Sequence, residues 1–251
     1  MNDGPAGDQQ TWRKITKTRA YEEVIARIEE QILNDTLNVG DRLPPERDLA
    51  TKLGVSRAAV REALRVLESQ GVLKASVGVG RDGGTIVCAM PTEALSRVLR
   101  LHVALSNFPM SDVIEARVML ERWSARLAAR ARQEKHVAEL RRLVEAMEDP
   151  ATDRSAFNDL DTDFHVTLAA AGENVLVADM TIAIRESMRI PILTSFQAME
   201  DWDTFVAHLR DGHRRIYLAV AAQDEDAAAA VVEDHIRFAY SALGWRRPRG
   251  L

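Results

Sequence analysis

The chain has 251 residues, of which 46% are hydrophobic, and its formal net charge at neutral pH is -5. This length and apolar content fit two domains that each bury a core. The single cysteine, Cys88, excludes an internal disulfide and a cysteine zinc cluster, and the lack of an apolar run of transmembrane length beside polar residues 1–16 predicts a cytoplasmic protein with no membrane contact.

The first predicted elements are two helices that follow a flexible arm over residues 1–16. An apolar helical stripe begins the domain, and it consists of Tyr21, Val24, Ile25, Ile28, Ile32 and Leu33. Pro44 and Pro45 then stand where a short second helix begins, because the missing N–H of proline costs nothing at the first helical position. Gly54 supplies the left-handed residue that ends this helix after Leu53.

A third helix is predicted over residues 57–70, with Ser56 as its N-terminal cap. Its apolar face should pack inward and consists of Val60, Leu64 and Leu67. A separate stripe repeats every fourth residue and consists of Arg57, Arg61 and Arg65. Arginines at the start of such a helix suit a major-groove reader, whereas a solvated basic face is the alternative that the stripe alone leaves open.

A β-hairpin is predicted after the third helix. Residues 72–77 and 84–88 have the character of strands, and a glycine-rich tip joins them. Cys88, at the end of the second strand, is interpreted as a small apolar filler rather than a nucleophile. Three helices followed by such a hairpin are typical of a winged helix-turn-helix, which binds duplex DNA.

Residues 17–88 resemble the DNA-binding domain of the GntR family of bacterial transcription regulators. The resemblance rests on three ordered runs, over residues 37–50, 54–64 and 67–73. It implies that phosphates and bases are contacted by Arg47, Ser56, Arg57 and Arg61, assisted by the wing from Gly78 to Gly83. Arg65 lies beyond the usual contact positions.

The charge distribution bears on how such a domain would bind DNA. Residues 1–90 carry 13 basic and 13 acidic side chains, which leaves 20 and 25 of the chain's 33 and 38 for residues 91–251. A neutral domain predicts modest affinity as a monomer. A homodimer on a pseudo-palindromic operator would double the contacts.

The remainder of the chain predicts an all-α domain over residues 91–243, followed by a basic tail over 244–251. Helical stripes are interrupted at Pro109, at Asp149–Pro150, at residues 172–174, near Pro191 and at Gln223–Asp224. These interruptions predict six or seven antiparallel helices. The whole protein is therefore expected to be mainly α: a winged helix-turn-helix domain followed by a helical bundle.

Four residues of this second domain have the spacing of metal ligands. Asp161 and His165 are four residues apart, so they share one face of a helix. His213 and His235 fall on two later helices joined by a short turn. One carboxylate and three imidazoles suit Zn²⁺, Ni²⁺ or Mn²⁺ with open positions. The alternative is that these are ordinary core or surface residues.

The sequence around these four residues resembles the FCD effector domain of the FadR subfamily, in the runs 161–165, 169–174, 213–220 and 228–235. The resemblance implies a metal held by Asp161, His165, His213 and His235, although Gly212 stands where an acidic residue is common. It also implies a small carboxylate or sugar acid as effector. Arg117 falls at the expected pocket position, and Arg185 and Arg189, one turn apart on a later helix, are further candidates. The alternative for both is a surface arginine, and this interpretation is favoured for Arg185.

These features predict a DNA-binding regulator, specifically a repressor, whose operator affinity responds to the effector. One alternative is a metalloenzyme fused to a DNA-binding domain, which would use the open metal as a Lewis acid. Another is a regulator for which the metal itself is the signal.

Overall fold

The computed structural model describes residues 20–76, 84–88, 92–105 and 107–244, and it divides into two compact units, Met1–Pro91 and Thr92–Leu251. Each unit has its own apolar core. The protein is mainly α-helical, as the sequence predicts, with a helix-turn-helix in the first unit and helices alone in the described part of the second.

The first unit contains α1 (Ala20–Leu33), α2 (Glu46–Leu53), α3 (Arg57–Ser69), β1 (Leu73–Ser76) and β2 (Gly84–Val87). Both α1 and α2 pack on α3. The two strands are antiparallel, with Leu73 opposite Val87 and Ser76 opposite Gly84. The predicted wing tip, including Gly78, and the predicted arm 1–16 lie outside the described residues, as does the predicted basic tail 244–251 except for Gly244.

The local signals of the helix-turn-helix are confirmed. Gly54 ends α2 in the left-handed conformation, with φ of 66° and ψ of 28°. The Ser56 hydroxyl accepts a hydrogen bond from the backbone N–H of Ala59 at 3.2 Å and so caps α3. The predicted inward face of α3 is buried, and it consists of Val60, Leu64 and Leu67.

The predicted apolar stripe of α1 is wrong at its last residue. Val24 and Ile28 are buried in the core of the unit, but Leu33 is 82% exposed. Leu33 lies five residues after Ile28, which turns it roughly 140° around the helix from that core position. It therefore faces away from α3.

The second unit contains seven helices within the described residues. They are α4 (Thr92–Ala104), α5 (Met110–Ala131), α6 (Glu134–Glu148), α7 (Arg154–Ala170), α8 (Val175–Ala198), α9 (Trp202–Ala221) and α10 (Glu225–Ala242). The central helix is α5, which contacts α7, α8, α9 and α10. Among these described residues, no helix is long and apolar enough to cross a membrane.

The predicted break near Pro191 is wrong, because Pro191 lies inside the continuous helix α8. A proline removes one helical hydrogen bond and is costly in a helix interior. Here the turns on both sides are anchored by buried apolar side chains, Met188 before the proline and Ile192 and Phe196 after it. This burial on both sides offsets the lost hydrogen bond.

Ion pairs along the contact between α5 and α10 fix the alignment of these two helices. Arg122 pairs with Glu233 at 2.5 Å, Arg126 pairs with Asp226, and Arg130 pairs with Glu225 at 2.7 Å. Each exposed pair contributes little to stability. As a row, however, they set the register between two helices that both carry residues of the site described next.

Candidate metal centre

Two of the predicted ligands, Asp161 and His165, lie one turn apart on α7. The helix begins at Asp153, whose carboxylate accepts a hydrogen bond from the backbone N–H of Ala156 at 2.8 Å. Asp161 is only 4% exposed, whereas its neighbours Asp159 and Asp163 are exposed. Asp161 is thus a core residue of the domain rather than one carboxylate of a solvated turn.

The other two predicted ligands approach from α9 and α10. The turn after α9 ends at Asp224, whose carboxylate caps α10 by accepting from the N–H of Ala227 at 2.9 Å. This short turn folds α10 back onto α9 and places the ring centroids of His213 and His235 4.3 Å apart. The edge-on ring of Phe164, with its centroid 4.8 Å from that of His213, closes the apolar wall beside them.

The structure brings all four predicted residues together. Asp161, His165, His213 and His235 are buried, and one ligand atom from each lies within 4.8 Å of the others. Nε2 of His213 is 3.0 Å from Oδ1 of Asp161, and Nε2 of His165 is 3.7 Å from the same oxygen. The side chains therefore converge on one point, as the ligands of a single ion do.

The remaining histidines lie elsewhere. His208 stacks on Phe238 with ring centroids 3.8 Å apart, and His102 contacts the amide of Asn107 at 2.7 Å. Within the residues that the structure describes, the four-residue cluster is the one group of this kind with spacing suited to a metal.

The chemistry of the four residues fits a divalent metal. Nε2 of His165 and both ring nitrogens of His213 are buried without a properly aligned hydrogen-bond partner among the described residues, which is costly unless another group engages them. Burial is the largest cause that lowers the pKa of His213 and His235 well below the ordinary value, and nearby positive charges lower it further. Both imidazoles are therefore neutral at pH 7, which is the form that binds metals.

Arg185 differs from its predicted surface location. It is fully buried, and its guanidinium contacts the carboxylate of Asp161. Burial lowers the pKa of Arg185 to about 9, so the side chain is still charged at pH 7. The apolar neighbours Ile184 and Met188 could have indicated this burial in the sequence.

Arg189, the predicted effector residue on the same helix, is not brought to the cluster. Its side chain is 39% exposed and pairs with Asp159 at 2.6 Å. Of the two candidate arginines on α8, Arg185 therefore lies beside the predicted ligands and Arg189 does not.

Arg117, for which the resemblance implies a pocket position, is buried on α5. Its Nε contacts the carboxylate of Glu121 one turn later, and its Nη1 donates to the Tyr240 hydroxyl at 2.9 Å. The sequence-based predictions did not include Glu121. Its position could have indicated a buried ion pair, because Arg117 and Glu121 fall on the apolar stripe that continues through Val118 and Ala125, where unpaired charges are rare.

A small cavity opens between these groups. It is lined by Arg117, Asp161, Arg185, His235 and Tyr240 among others, and its volume is about 10 Å³. This space holds about one water molecule. Two arginines and two metal-type ligands thus face the same space.

The predicted DNA contacts that the structure describes, Arg47, Ser56, Arg57 and Arg61, lie in the first unit and are exposed. Arg57 begins α3, and Arg61 pairs with Glu46 on α2 at 3.0 Å. Arg47 pairs with its neighbour Asp48 at 3.1 Å. Exposed pairs of this kind are weak, so phosphates or bases can replace the carboxylates.

Fold and site together define a class of protein, a bacterial transcription regulator with a helix-turn-helix and a helical domain that contains a candidate metal centre. Residues 20–81 match the model of the bacterial regulatory proteins of the gntR family, and residues 112–238 match the FCD domain. The chain belongs to the GntR family and carries an FCD domain.

Named relatives agree with this membership. The chain is 30% identical to the regulator LutR of Bacillus subtilis, over 82% of this chain and 92% of LutR. It is 28% identical to a putative L-lactate dehydrogenase operon regulatory protein of Escherichia coli, over 91% and 88% of the two chains. The solved structure of Streptococcus agalactiae GntR superposes with a TM-score of 0.53 at 25% identity, covering 86% of this chain and 97% of that one.

Proposed function

We propose that this regulator is a repressor whose affinity for operator DNA is controlled by a small carboxylate or sugar acid bound beside a divalent transition metal. The observation that carries the proposal is the convergence of four metal-type ligands in the FCD domain, two of which line one small cavity together with two buried arginines. The names of the relatives, one of which refers to an L-lactate dehydrogenase operon, support a small carboxylate as the class of effector.

Asp161, His165, His213 and His235 would hold the metal, which we expect to be Zn²⁺, Ni²⁺ or Mn²⁺. Such an ion, when bound with an open coordination position, acts as a Lewis acid that attracts a carboxylate oxygen. The four side chains contribute one negative charge and three neutral imidazoles to it.

The charges around the cavity favour an anionic effector. The buried arginines, Arg117 and Arg185, are balanced by the buried carboxylates of Glu121 and Asp161. A divalent ion would add two positive charges to this balanced set, and an uncompensated charge in the interior is costly. An anion offsets that charge, and a guanidinium can bind its carboxylate with two parallel hydrogen bonds.

The size of the cavity supports a conformational response. A space of about 10 Å³ is too small for a carboxylate of several atoms, so binding must move side chains on α5, α8 or α10. An effector that binds the opened form better than the closed form shifts the domain between the two states. Operator affinity changes if the two states hold the DNA-binding domains differently.

In the proposed regulator, exposed residues of the first unit bind the operator DNA. Arg47, Ser56, Arg57 and Arg61 would contact phosphates and bases, with the wing residue Gly78 assisting. A homodimer would present two α3 helices to a pseudo-palindromic operator, which lies in the bacterial cytoplasm. The neutral charge of residues 1–90 supports this doubling of contacts.

The proposal is tested by the binding of the metal-loaded full chain to DNA from its own upstream region, with a panel of hydroxy acids, dicarboxylates and sugar acids. We expect one compound to lower operator affinity at least roughly fivefold, the lower end of typical coupling, and to raise the melting temperature. An Arg57→Ala variant is the control, since it should lose DNA affinity and keep the thermal shift. Failure of the wild type to prefer this DNA over unrelated DNA would overturn the proposal.

Two other outcomes would point to the alternative functions. Turnover of a compound that His213→Ala abolishes, with DNA binding intact, would indicate a metalloenzyme. A change in operator affinity on chelation alone, with no carboxylate effect, would indicate that the metal is the signal.

A further inference from the structure

Glu121 connects the candidate metal centre to the arginine that lines the cavity. The residue lies on the central helix α5 and is 1% exposed. Its Oε1 contacts Nε of Arg117, and its Oε2 lies 2.5 Å from Nδ1 of His165. One buried carboxylate therefore contacts His165, a candidate metal ligand, with one oxygen and Arg117, a candidate effector ligand, with the other.

Burial of charged side chains costs folding free energy unless each charge has a partner. An unpaired carboxylate in the interior is strongly disfavoured. The guanidinium of Arg117 is the buried positive partner of Glu121. An ionised carboxylate is an acceptor only, and Nδ1 of His165 lies within hydrogen-bond distance of its second oxygen.

The contact with His165 determines which ring nitrogen is available to a metal. A carboxylate only accepts hydrogen bonds, so it favours the tautomer with the proton on Nδ1. The lone pair is then on Nε2, which faces Asp161 at 3.7 Å. A carboxylate behind a metal-binding histidine commonly fixes the ring in this way.

We infer that Glu121 is a positioning residue that orients His165 for the metal and at the same time holds Arg117 at the cavity. This inference rests on the proposed metal-dependent function of the same site. Glu121 contacts both His165 and Arg117, so an anion that displaces Arg117 also moves Glu121 and, through it, His165. No other residue is needed to connect Arg117 to His165.

A Glu121→Gln substitution tests the inference with the shape of the side chain retained. The amide has one acceptor where the carboxylate has two, and the charged Arg117 competes for it more strongly than the neutral imidazole of His165. The amide NH₂ would then face Nδ1 of His165 and favour the proton on Nε2, the metal-facing nitrogen. We expect Zn²⁺ affinity, measured by competition with a chelator, to fall roughly 10- to 100-fold.

The matched control is Glu115→Gln, on the same helix. Glu115 is exposed and pairs with Arg237 at 3.4 Å, away from the cluster, so its Zn²⁺ affinity should equal that of the wild type. A second comparison uses the His165→Ala background, in which Glu121→Gln should add less than about a twofold loss if it acts through His165. The visible spectrum of the Co²⁺-loaded protein should also change for Glu121→Gln, which a purely structural role would leave unaltered.

If Glu121→Gln does not fold, the charge-balanced Arg117→Met/Glu121→Met variant takes its place, since it leaves neither partner buried as an unpaired charge. Zn²⁺ affinity within twofold of the wild type in the folded variant, or an equal loss in the His165→Ala background, overturns the inference alone. A wild type that binds no Zn²⁺ overturns both the inference and the proposed metal site.

Discussion

Gly212 on α9 lies directly against the ring of His235 on α10. A Cβ atom at position 212 would overlap Nδ1 of His235 and would lie 3.2 Å from its Cγ. The two helices approach this closely because residue 212 has no side chain. In the resemblance to the FCD domain this position commonly carries an acidic residue, so the glycine is a particular feature of this chain at its candidate metal centre.

We predict that Gly212→Ala weakens metal binding without unfolding the domain. The new methyl group must displace the His235 ring, whereas alanine in place of glycine favours the helix itself by about 1 kcal/mol. Zn²⁺ affinity should fall about tenfold or more, as measured by chelator competition. The matched control is Gly172→Ala, whose Cβ would meet Leu127 at 2.7 Å away from the cluster. Equal metal affinity for Gly212→Ala and the wild type would contradict the prediction.

Two arginines one turn apart on α8 should differ sharply in their effect on stability. Arg185→Met removes the buried partner of Asp161 and leaves that carboxylate unpaired, so the metal-free protein should lose about 3–5 kcal/mol of unfolding free energy. Arg189→Met removes a half-exposed pair with Asp159 and should cost less than about 1 kcal/mol. Urea unfolding of both variants measures the difference, and similar losses would refute the assignment of Arg185 to the interior.

Arg185 and Arg189 illustrate which features of the structure could be predicted from the sequence and which could not. The helix-turn-helix was predictable because its signals are local: a left-handed glycine, a serine cap and an apolar face repeat within a few residues. The grouping of the four candidate ligands was also predictable, because the spacing of Asp161 and His165 fixes their common face and a short turn joins the helices of His213 and His235. Arg185 and Arg189 share the same spacing, yet only Arg185 is buried.

That difference depends on tertiary packing. The faces of α8 differ little in burial. Buried residues surround Arg185, yet half-exposed Arg189 and exposed Ile190 follow four and five residues later. Both arginines contact carboxylates on α7, and periodicity cannot decide which of the two is buried in such a helix. The break predicted at Pro191 failed for a related reason, because burial on both sides of the proline outweighs its local cost.

Acid should destabilise the metal-free protein through its buried histidines. Burial holds the pKa of His213 and His235 below the ordinary 6.5, so the unfolded chain binds protons near that pH while the folded chain does not. Stability is therefore full above about pH 6.5 and falls as the pH is lowered, by about 1.4 kcal/mol per pH unit for each such histidine. Urea unfolding between about pH 7.5 and 5 measures the slope.

The contribution of Glu121 is separable from that of the histidines. Its pKa is lowered in the folded protein, so its stabilisation is lost only below the ordinary value of 4.5, outside this window. A His213→Gln/His235→Gln variant, if folded, should have a flatter profile between pH 5 and 6.5. A wild-type stability that is constant over this range would contradict the burial of neutral imidazoles.

The arginines of α3 should differ in their effect on operator binding. Arg57→Ala and Arg61→Ala should each weaken binding by about 1–3 kcal/mol per half-site if they contact bases, and a lost phosphate contact should lower the salt slope by about one. Arg65→Ala is the matched control, because Arg65 is also exposed on the same helix but lies one turn beyond Arg61. Fluorescence anisotropy at several salt concentrations measures both quantities. An Arg65→Ala loss as large as that of Arg57→Ala would move the contact surface along the helix.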